Sequence, residues 1–484
     1  MGGEYNLVII GGSYTARYAA VMAVQQGVRV ALVEPEAVEI QPFSLGEVYQ
    51  TYQNLPSLAD RDETITLDQS KRLSKEAAFL QYYQRGNNLL ESEFDLARLS
   101  QLGVDVIIGR GAFQKLPQLA FVIDKRILRS QRYLLAPELI PVLPEIPGLE
   151  ESSYTLPADL VRDLRHNLEN NLENIQDSQS PNLAKESLAQ SWIVMGNPYT
   201  AVEMSQILRN LGKTVTLVSP KPRLLPQEEP EANALIQGAI EAAGIRLLTH
   251  SPVTLIRYLE GKSWIQAGDR AIEAEKILLC PRQIPQTTDL NLAAAGVQVH
   301  RHGIVVNQYL QTTNSHIYAC SDQNSWGAYQ GATALKNALV LPIFSVNYHH
   351  LPRIISAQPP LAQIGRTEQE ARQKYGKQVI ILREYVKNQP LAQMQGDTTG
   401  FCQLIVHRNG RILGGTIVGL QAREIISLIA LAMQAGLRVD YLAKLPETNG
   451  SLLQRTAAQG LINKSKFYEI QQELKQKFKR FFSF

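Results

Sequence analysis

Short apolar runs separated by a glycine turn and a helical stretch define the start of this chain. Residues 7–10 (LVII) form one apolar run, and residues 28–33 (VRVALV) form a second. Gly11, Gly12 and Ser13 break the first run, and residues 17–26 then have the pattern of a helix. Apolar runs of this length between turn residues are typical of buried strands. The pattern therefore predicts a strand, a tight turn, a helix and a second strand.

The second run ends in an acid, and the whole unit has the order of a dinucleotide-binding βαβ motif. Against the pattern G-x-G-x-x-G, the three small positions hold Gly11, Ser13 and Ala16. The glycine permits the sharp turn, and the start of the helix offers N–H groups to a diphosphate. Glu34 is placed to accept hydrogen bonds from a ribose. A plain βαβ unit with a tight turn and no ligand is the alternative.

A second unit of the same kind begins at residue 191, with the sequence SWIVMGNPYTAVEMSQILRNLGKTVTLVS. Its turn positions hold Gly196, Pro198 and Ala201. Pro198 has no N–H to offer a phosphate, and its ring takes up space near the turn. Lys221 and Arg223 follow the second strand and would suit a 2′-phosphate, or they are a solvated surface pair. An internal duplicate of a nucleotide fold is more informative than a single copy.

The rest of the chain alternates between predicted elements and polar segments. Residues 155–190 are polar and predict a helix followed by a surface loop or linker. A change to antiparallel strands and helices near residue 358 indicates a separate C-terminal α+β domain. The apolar patterns predict helices at 65–99 and 422–436, a β-meander at 121–135, and strands at 104–108, 277–280, 303–306, 316–319, 378–385, 401–407 and 412–419.

Length and composition exclude several classes of protein. A chain of 484 residues predicts two or three domains. The formal net charge of +3 gives no reason to expect a nucleic-acid partner. No run of eighteen apolar residues is present in the sequence, and the N-terminus enters its first strand at once. We therefore expect neither a membrane span nor a signal peptide.

Three cysteines occur, at Cys280, Cys320 and Cys402, without C-x-x-C or C-x4-C spacing. This spacing argues against a disulfide scaffold and against a zinc site. Three small apolar core residues are the simplest interpretation. A chain with so few cysteines fits a reducing cytoplasm.

Four further segments carry a resemblance to a known family. They are 224–232 (LLPQEEPEA), 303–322 (GIVVNQYLQTTNSHIYACSD), 364–372 (IGRTEQEAR) and 410–419 (GRILGGTIVG). With the two βαβ units, they make the chain resemble the pyridine nucleotide–disulfide oxidoreductase flavoproteins over nearly its full length. That family includes dihydrolipoamide dehydrogenase, glutathione reductase and mercuric reductase.

The resemblance implies an α/β fold with two Rossmann-like FAD- and NAD(P)-binding domains and an α+β C-terminal dimerisation domain. The implied divisions are an FAD domain in two parts (1–154 and 286–352), a polar insert (155–190), an NAD(P)-binding-like domain (191–285), a dimerisation domain (353–463) and a tail (464–484). The family is usually a homodimer whose active site is completed by the partner's C-terminal domain.

The resemblance also implies site residues for both nucleotides. FAD would lie against Gly11, Gly12, Ser13, Ala16 and Glu34. Further FAD contacts are implied at Gly111 and Ala112 near the adenine and at Asp322 near the ribityl chain. NAD(P)H would use Gly196 and Ala201, with Glu203 close to the flavin, although Pro198 argues against this second nucleotide.

Several departures from the family concern the redox machinery. The family's C-x4-C pair lies shortly after the acid that corresponds to Glu34, yet no cysteine precedes Cys280. A dithiol relay needs a thiolate beside the flavin. The family's terminal His-Glu pair is also missing, because no histidine follows His407. Both short ATG turns are altered, to Ala136-Pro137-Glu138 and Cys280-Pro281-Arg282.

Two functional hypotheses follow. The first is an FAD-dependent oxidoreductase that passes electrons from NAD(P)H directly to a small-molecule acceptor other than a disulfide. No residue is assigned as its proton donor. The second is a catalytically degenerate relative in which FAD is structural and the chain acts as a binding or regulatory protein.

The C-terminal residues 464–484 have a basic, aromatic-rich helical pattern. One face would carry Phe467, Ile470, Leu474, Phe478 and Phe481. Positive charge comes from Lys464, Lys466, Lys475, Lys477, Lys479 and Arg480. Such a helix can lie in an anionic membrane surface. Packing on the chain itself or on a partner subunit are the alternatives.

Overall fold

The computed structural model describes residues 5–35, 47–48, 51, 79, 82–86, 92–115, 117–163, 189–320, 326–446 and 451–461. Within them the chain forms three modules, each built around a five-stranded sheet. The first and second modules have parallel sheets, and the C-terminal module has an antiparallel one.

The first module contains the predicted dinucleotide unit. Its strands are β1 (Tyr5–Ile10), β2 (Val30–Glu34), β3 (Asp105–Ile108), β7 (Ser130–Leu135) and β20 (Ile317–Ala319). They lie side by side in the order β20-β7-β1-β2-β3, with all pairs parallel. Helices α1 (Tyr14–Gln25), α2 (Leu96–Gln101) and α5 (Gly327–Leu339) contribute to the core on one face. A small antiparallel sheet of β4 (Gly111–Lys115), β5 (Leu119–Ile123) and β6 (Arg126–Leu128) contributes to the core on the other.

The second module also has a five-stranded parallel sheet with helices on one face and a small antiparallel sheet on the other. Its parallel strands are β9 (Tyr154–Thr155), β10 (Ser191–Gly196), β11 (Thr214–Val218), β12 (Arg246–Leu248) and β16 (Lys276–Cys280), in the order β12-β11-β10-β16-β9. Helices α3 (Pro198–Asn210) and α4 (Pro230–Ala242) pack against it. An antiparallel sheet of β13 (Val253–Leu259), β14 (Lys262–Ala267) and β15 (Arg270–Ala274) covers the other face.

Short strand pairs and helical turns lie outside the three main sheets. Strand β8 (Leu139–Val142) pairs antiparallel with β17 (Arg282–Pro285), and β18 (Val299–His300) pairs with β19 (Gly303–Ile304). Residues 157–163 are helical. Single 3₁₀ turns occur at Thr288–Leu290, Tyr348–His350, Gly376–Gln378 and Val386–Asn388.

The C-terminal module is an antiparallel sheet with helices. Its strands are β21 (Arg353–Ile355), β22 (Leu361–Gly365), β23 (Val379–Tyr385), β24 (Phe401–His407) and β25 (Ile412–Val418), in the order β21-β22-β25-β24-β23. Its helices are α6 (Glu368–Tyr375), α7 (Pro390–Gln395), α8 (Ala422–Gln434) and α9 (Val439–Ala443), followed by helical residues 452–461.

The predicted fold class is confirmed, and two element predictions need correction. The predicted meander at 121–135 was wrong in its bounds, because β7 joins the parallel sheet beside β1 while the small sheet begins earlier, at β4. The predicted helix at 65–99 lies mostly outside the described residues, and Asp95 interrupts it just before α2. In the part of the chain that the structure describes, no helix is long and apolar enough to cross a membrane.

Candidate functional site

The turn between β1 and α1 is so tightly packed that its first residue must be glycine. Gly11 has a φ of +136°, and a Cβ built there would overlap the carbonyl oxygen of Ala136. Its N–H donates to the carbonyl of Val33 at 2.9 Å, while Ala136 N donates to the carbonyl of Ile10 at 2.9 Å. The turn is thereby fixed at the carboxyl ends of three neighbouring strands, where open α/β sheets bind ligands.

Ser13, which replaces the second glycine of the pattern, starts the helix. Its hydroxyl accepts from Ala16 N at 3.2 Å and donates to the carbonyl of Ala136 at 2.8 Å. Ala16 is fully buried in the helix. The serine therefore caps α1 and fastens the turn to β7, which explains why a side chain is tolerated there.

Glu34 lies at the end of β2 as predicted, but its carboxylate is bound by a cation from α1. Arg17 donates from Nε to Oε1 at 2.8 Å and from Nη2 to Oε2 at 2.9 Å. Arg17 Nη1 also donates to the carbonyl of Phe94 at 3.2 Å. Glu34 is fully buried, and burial raises its pKa against the opposing effect of Arg17. A ribose would therefore meet a carboxylate that already holds a bidentate partner.

A second carboxylate lies against the same turn. Glu138, from the altered Ala136-Pro137-Glu138 turn, places Oε1 close enough to overlap a Cβ built on Gly12, and Glu34 Oε2 is 3.6 Å from that Cβ. Gly12 is thus flanked by two acids. The N-terminus of α1 favours an anion, and Glu138 supplies one from within the chain.

A cleft opens beside this turn. Its volume is about 490 Å³ when the open space at its mouth is included. Its lining includes Ile10, Gly11, Val33, Arg110, Gly111, Pro137 and Glu138. A Cβ on Gly111 would come within 2.6 Å of Phe121 and Ile123. Glycine at this position therefore allows these two side chains to pack against the backbone. Ala112 follows in β4, paired with Val122.

Gly11 and Gly111, two of the residues predicted to contact FAD, both line this cleft. The Gly11–Gly12 turn, the capped start of α1 and the cleft lie together in the structure. Glu138 opposes a diphosphate at Gly12 because both are negatively charged. Asp322, predicted to contact the ribityl chain, lies outside the described residues, as does the tail 464–484.

The second unit has a similar turn but offers a phosphate fewer donors. Gly196 has a φ of +122°, and a Cβ there would overlap the carbonyl oxygen of Cys280. Pro198 is the first residue of α3, where a missing N–H costs the helix nothing. Asn197 caps the helix by accepting from Tyr199 N at 3.0 Å. The first two positions of α3 therefore provide no N–H for a diphosphate, while Ala201 is buried in the core.

Tyr199 belongs to a cluster that sequence analysis missed. Its hydroxyl donates to Glu228 Oε1 at 3.0 Å, and Arg353 binds the same oxygen at 2.8 Å. The Arg353 guanidinium lies 5.7 Å from the centre of the Tyr199 ring. Burial, together with the charge of Glu228, raises the pKa of Tyr199. No signal marks this cluster in the sequence, because its members come from three distant segments.

Glu203 is buried on α3 and joins the second module to the C-terminal one. Its Oε1 accepts from Ser356 N at 2.7 Å. Burial raises its pKa to about 7; the Ser356 N–H and Arg423 oppose this, and Glu47 adds to it. Arg423 itself pairs with Glu47 at 2.9 Å. Glu203 is therefore a carboxyl group that can change protonation state near neutral pH.

The three cysteines are buried in three separate places. Cys280 ends β16, Cys320 follows β20, and Cys402 lies in β24. Burial raises the pKa of Cys280 and raises that of Cys402 to about 12. Cys320 Sγ donates to the carbonyl of Leu135 at 3.8 Å. Buried thiols of this kind are poor nucleophiles, so none has the character of a relay cysteine.

Comparison with known proteins identifies the family. Residues 5–337 match the family model described as pyridine nucleotide-disulphide oxidoreductase, and residues 351–448 match the dimerisation domain of that family. The chain belongs to this family. Its flavoproteins use FAD with NAD(P)H, and the matched dimerisation domain supports the predicted homodimer.

The individual relatives are distant. Mercuric reductase of Staphylococcus aureus is 27% identical over 465 residues, covering 91% of this chain and 79% of that protein. Dihydrolipoyl dehydrogenase of Mycobacterium bovis is 29% identical over 294 residues, covering 58% of this chain and 62% of that protein.

Solved structures agree in fold. LpdA of Mycobacterium tuberculosis superposes with a TM-score of 0.77 at 20% identity, covering 94% of this chain and 99% of that one. The Cu(II) complex of the HOCl-induced flavoprotein disulfide reductase RclA of Escherichia coli superposes with a TM-score of 0.76 at 21% identity. The match covers 96% of this chain and 100% of that one.

Proposed function

We propose that this family member is an FAD-binding oxidoreductase that works without a dithiol relay and passes electrons from NAD(P)H directly to a small acceptor other than a disulfide. The observation that carries the proposal is the placement of the cysteines. None precedes Cys280 in the sequence, and all three are buried on separate strands or strand ends. A relay needs two thiols within bonding distance of each other and access to the substrate.

Residues of the first module would hold the cofactor. Gly11 and Gly12 would let backbone approach the diphosphate, and the first turn of α1, from Ser13 to Ala16, would direct N–H groups toward it. Gly111 lines the cleft and Ala112 follows it in β4, and both would lie near the adenine. Bound FAD supplies the two-electron carrier that the cysteines cannot provide.

The second module contributes a titratable group and a tyrosine. Glu203 is held by Ser356 N with a pKa near 7, so it can tune the charge of its surroundings. Tyr199 is anchored by Glu228 at the start of α3, where the family places the nicotinamide nucleotide. Asn197 and Pro198 weaken diphosphate binding there, so we expect NAD(P)H to bind weakly.

The test uses the protein as purified, with any bound flavin. Anaerobic mixing with NADH or NADPH should bleach the flavin band, and a quinone should restore it. Pretreatment with iodoacetamide should leave this turnover unchanged, and oxidised lipoamide should not be reduced. Turnover that alkylation abolishes, or efficient disulfide reduction, would overturn the proposal.

A second candidate is a catalytically degenerate protein with structural FAD and a binding role. It is favoured by Glu138 against Gly12 and by Asn197 occupying the Tyr199 N–H. The same mixing experiment separates the two candidates, because flavin that NADH and NADPH both leave oxidised supports the degenerate role.

A further inference from the structure

A loop after α5 exposes an unusual run of large apolar side chains. In residues 340–344 (VLPIF), the exposed fractions are 68% for Val340, 59% for Leu341, 63% for Ile343 and 42% for Phe344. Single exposed apolar residues are ordinary, whereas a contiguous group marks a surface that meets another apolar phase. We call residues 340–344 the apolar loop.

The backbone of the apolar loop is fixed in this exposed position. Asn337, itself buried, accepts from Phe344 N at 2.9 Å and donates to the carbonyls of Phe344 and Tyr309 at 2.8 and 2.9 Å. Just beyond the loop, Val346 N donates to the carbonyl of Gln308 at 2.8 Å. These bonds fix the end of the loop, and its start is fixed by Val340 N, which donates to the carbonyl of Lys336 at 3.0 Å.

Along the chain, the segment around the apolar loop carries only positive charge. Residues 326–353 contain no aspartate or glutamate, and Lys336 lies exposed at the base of the loop with Nζ 6.0 Å from the Phe344 ring centre. Tyr348, 47% exposed, adds an amphipathic ring of the kind that favours a membrane interface. An apolar tip with a basic, acid-free base suits an anionic lipid surface.

We propose that the apolar loop inserts into the interfacial region of an anionic lipid bilayer and anchors the protein peripherally. The loop lies outside residues 351–448, which match the dimerisation domain. This inference does not depend on the proposed redox function.

The test is flotation of the full chain with vesicles. Wild type should bind vesicles of phosphatidylcholine with phosphatidylglycerol and bind pure phosphatidylcholine vesicles weakly. The variant Leu341→Ser with Ile343→Ser should lower the bound fraction roughly tenfold, because two exposed apolar side chains are lost. The matched control is Tyr258→Ser with Leu259→Ser, which removes two apolar side chains that are 47% and 51% exposed on the β13 strand.

The outcomes are decisive in both directions. The proposal is overturned if wild type ignores anionic vesicles, or if the loop and control variants bind equally. It is also overturned if the loop variant changes the mass of the oligomer in solution without lipid, since the loop would then be a protein interface.

Discussion

Glu138 and Gly12 meet across the first dinucleotide turn, where the Glu138 carboxylate lies close enough to overlap a side chain on Gly12. The turn keeps the shape that a diphosphate requires, but the chain places its own anion against it. FAD must therefore bind beside this carboxylate or displace it.

Replacing Glu138 should strengthen FAD binding. Glu138→Gln keeps the volume and removes the charge, so we expect the Kd for FAD to fall roughly tenfold as repulsion of the diphosphate is lost. Glu138→Ala removes the volume of the side chain as well as its charge, so comparing the two variants separates the effect of volume from that of charge. Flavin fluorescence quenching on apoprotein measures both. Glu145→Gln, an exposed change on the same segment, is the control, and an unchanged Kd in Glu138→Gln would contradict the expectation.

Breaking the Arg17–Glu34 pair should destabilise the first module. Arg17→Met leaves a buried carboxylate without its cation, which costs about 3–5 kcal/mol. The double variant Arg17→Met with Glu34→Met should recover most of that loss, because paired apolar groups of similar volume replace a buried ion pair well. Urea denaturation of apoprotein provides the free energies of unfolding. A double variant as unstable as the single one would show that the pair is not the cause.

Gly11→Ala should be far more damaging than an ordinary glycine substitution. A Cβ on Gly11 would overlap the Ala136 carbonyl. A Cβ on Gly212, which has a φ of +86°, would have no other atom within 4 Å. Gly212→Ala should cost about 1 kcal/mol from backbone strain alone. Gly11→Ala adds a steric clash with backbone and should prevent folding of the module. Circular dichroism melts compare the two, and equal melting temperatures would rule out the close approach.

Glu203 should make stability depend on pH with a definite sign. Its pKa is about 7 in the folded protein and near 4.5 when exposed, so the folded state holds its proton more tightly. As the pH rises from 4.5 to 7, the free energy of unfolding of wild type should fall by up to about 3 kcal/mol relative to that of Glu203→Gln. The glutamine keeps an acceptor for Ser356 N. Urea unfolding of both proteins at pH 5 and pH 8 measures this change. The prediction is refuted if the difference in stability between wild type and Glu203→Gln is the same at both pH values.

Much of the fold could be predicted because local patterns decide it. The strand at 401–407 was predicted with its observed bounds, and both glycine turns lie where the apolar runs end. Other elements gave no such signal. The β13–β15 sheet was not predicted, since exposed Tyr258 and Trp264 interrupt its alternation of apolar and polar residues.

The site was less predictable than the fold because its decisive contacts join distant segments. Ser13 and Ala136 are 123 positions apart, and their bond explains the serine in the glycine pattern. Arg17 looked like an ordinary residue of the first helix, and only the folded arrangement shows that it binds Glu34. The predicted roles of Glu34 and Asp322 toward FAD, the tail's contact with lipid and the cytoplasmic location stay predictions.

The central claim, a flavin enzyme without a dithiol relay, is tested most directly by counting reducing equivalents. Anaerobic titration of the FAD-loaded protein with dithionite should consume two electrons per bound FAD, because flavin alone accepts them. Uptake of four electrons per FAD would reveal a redox-active disulfide and contradict the account.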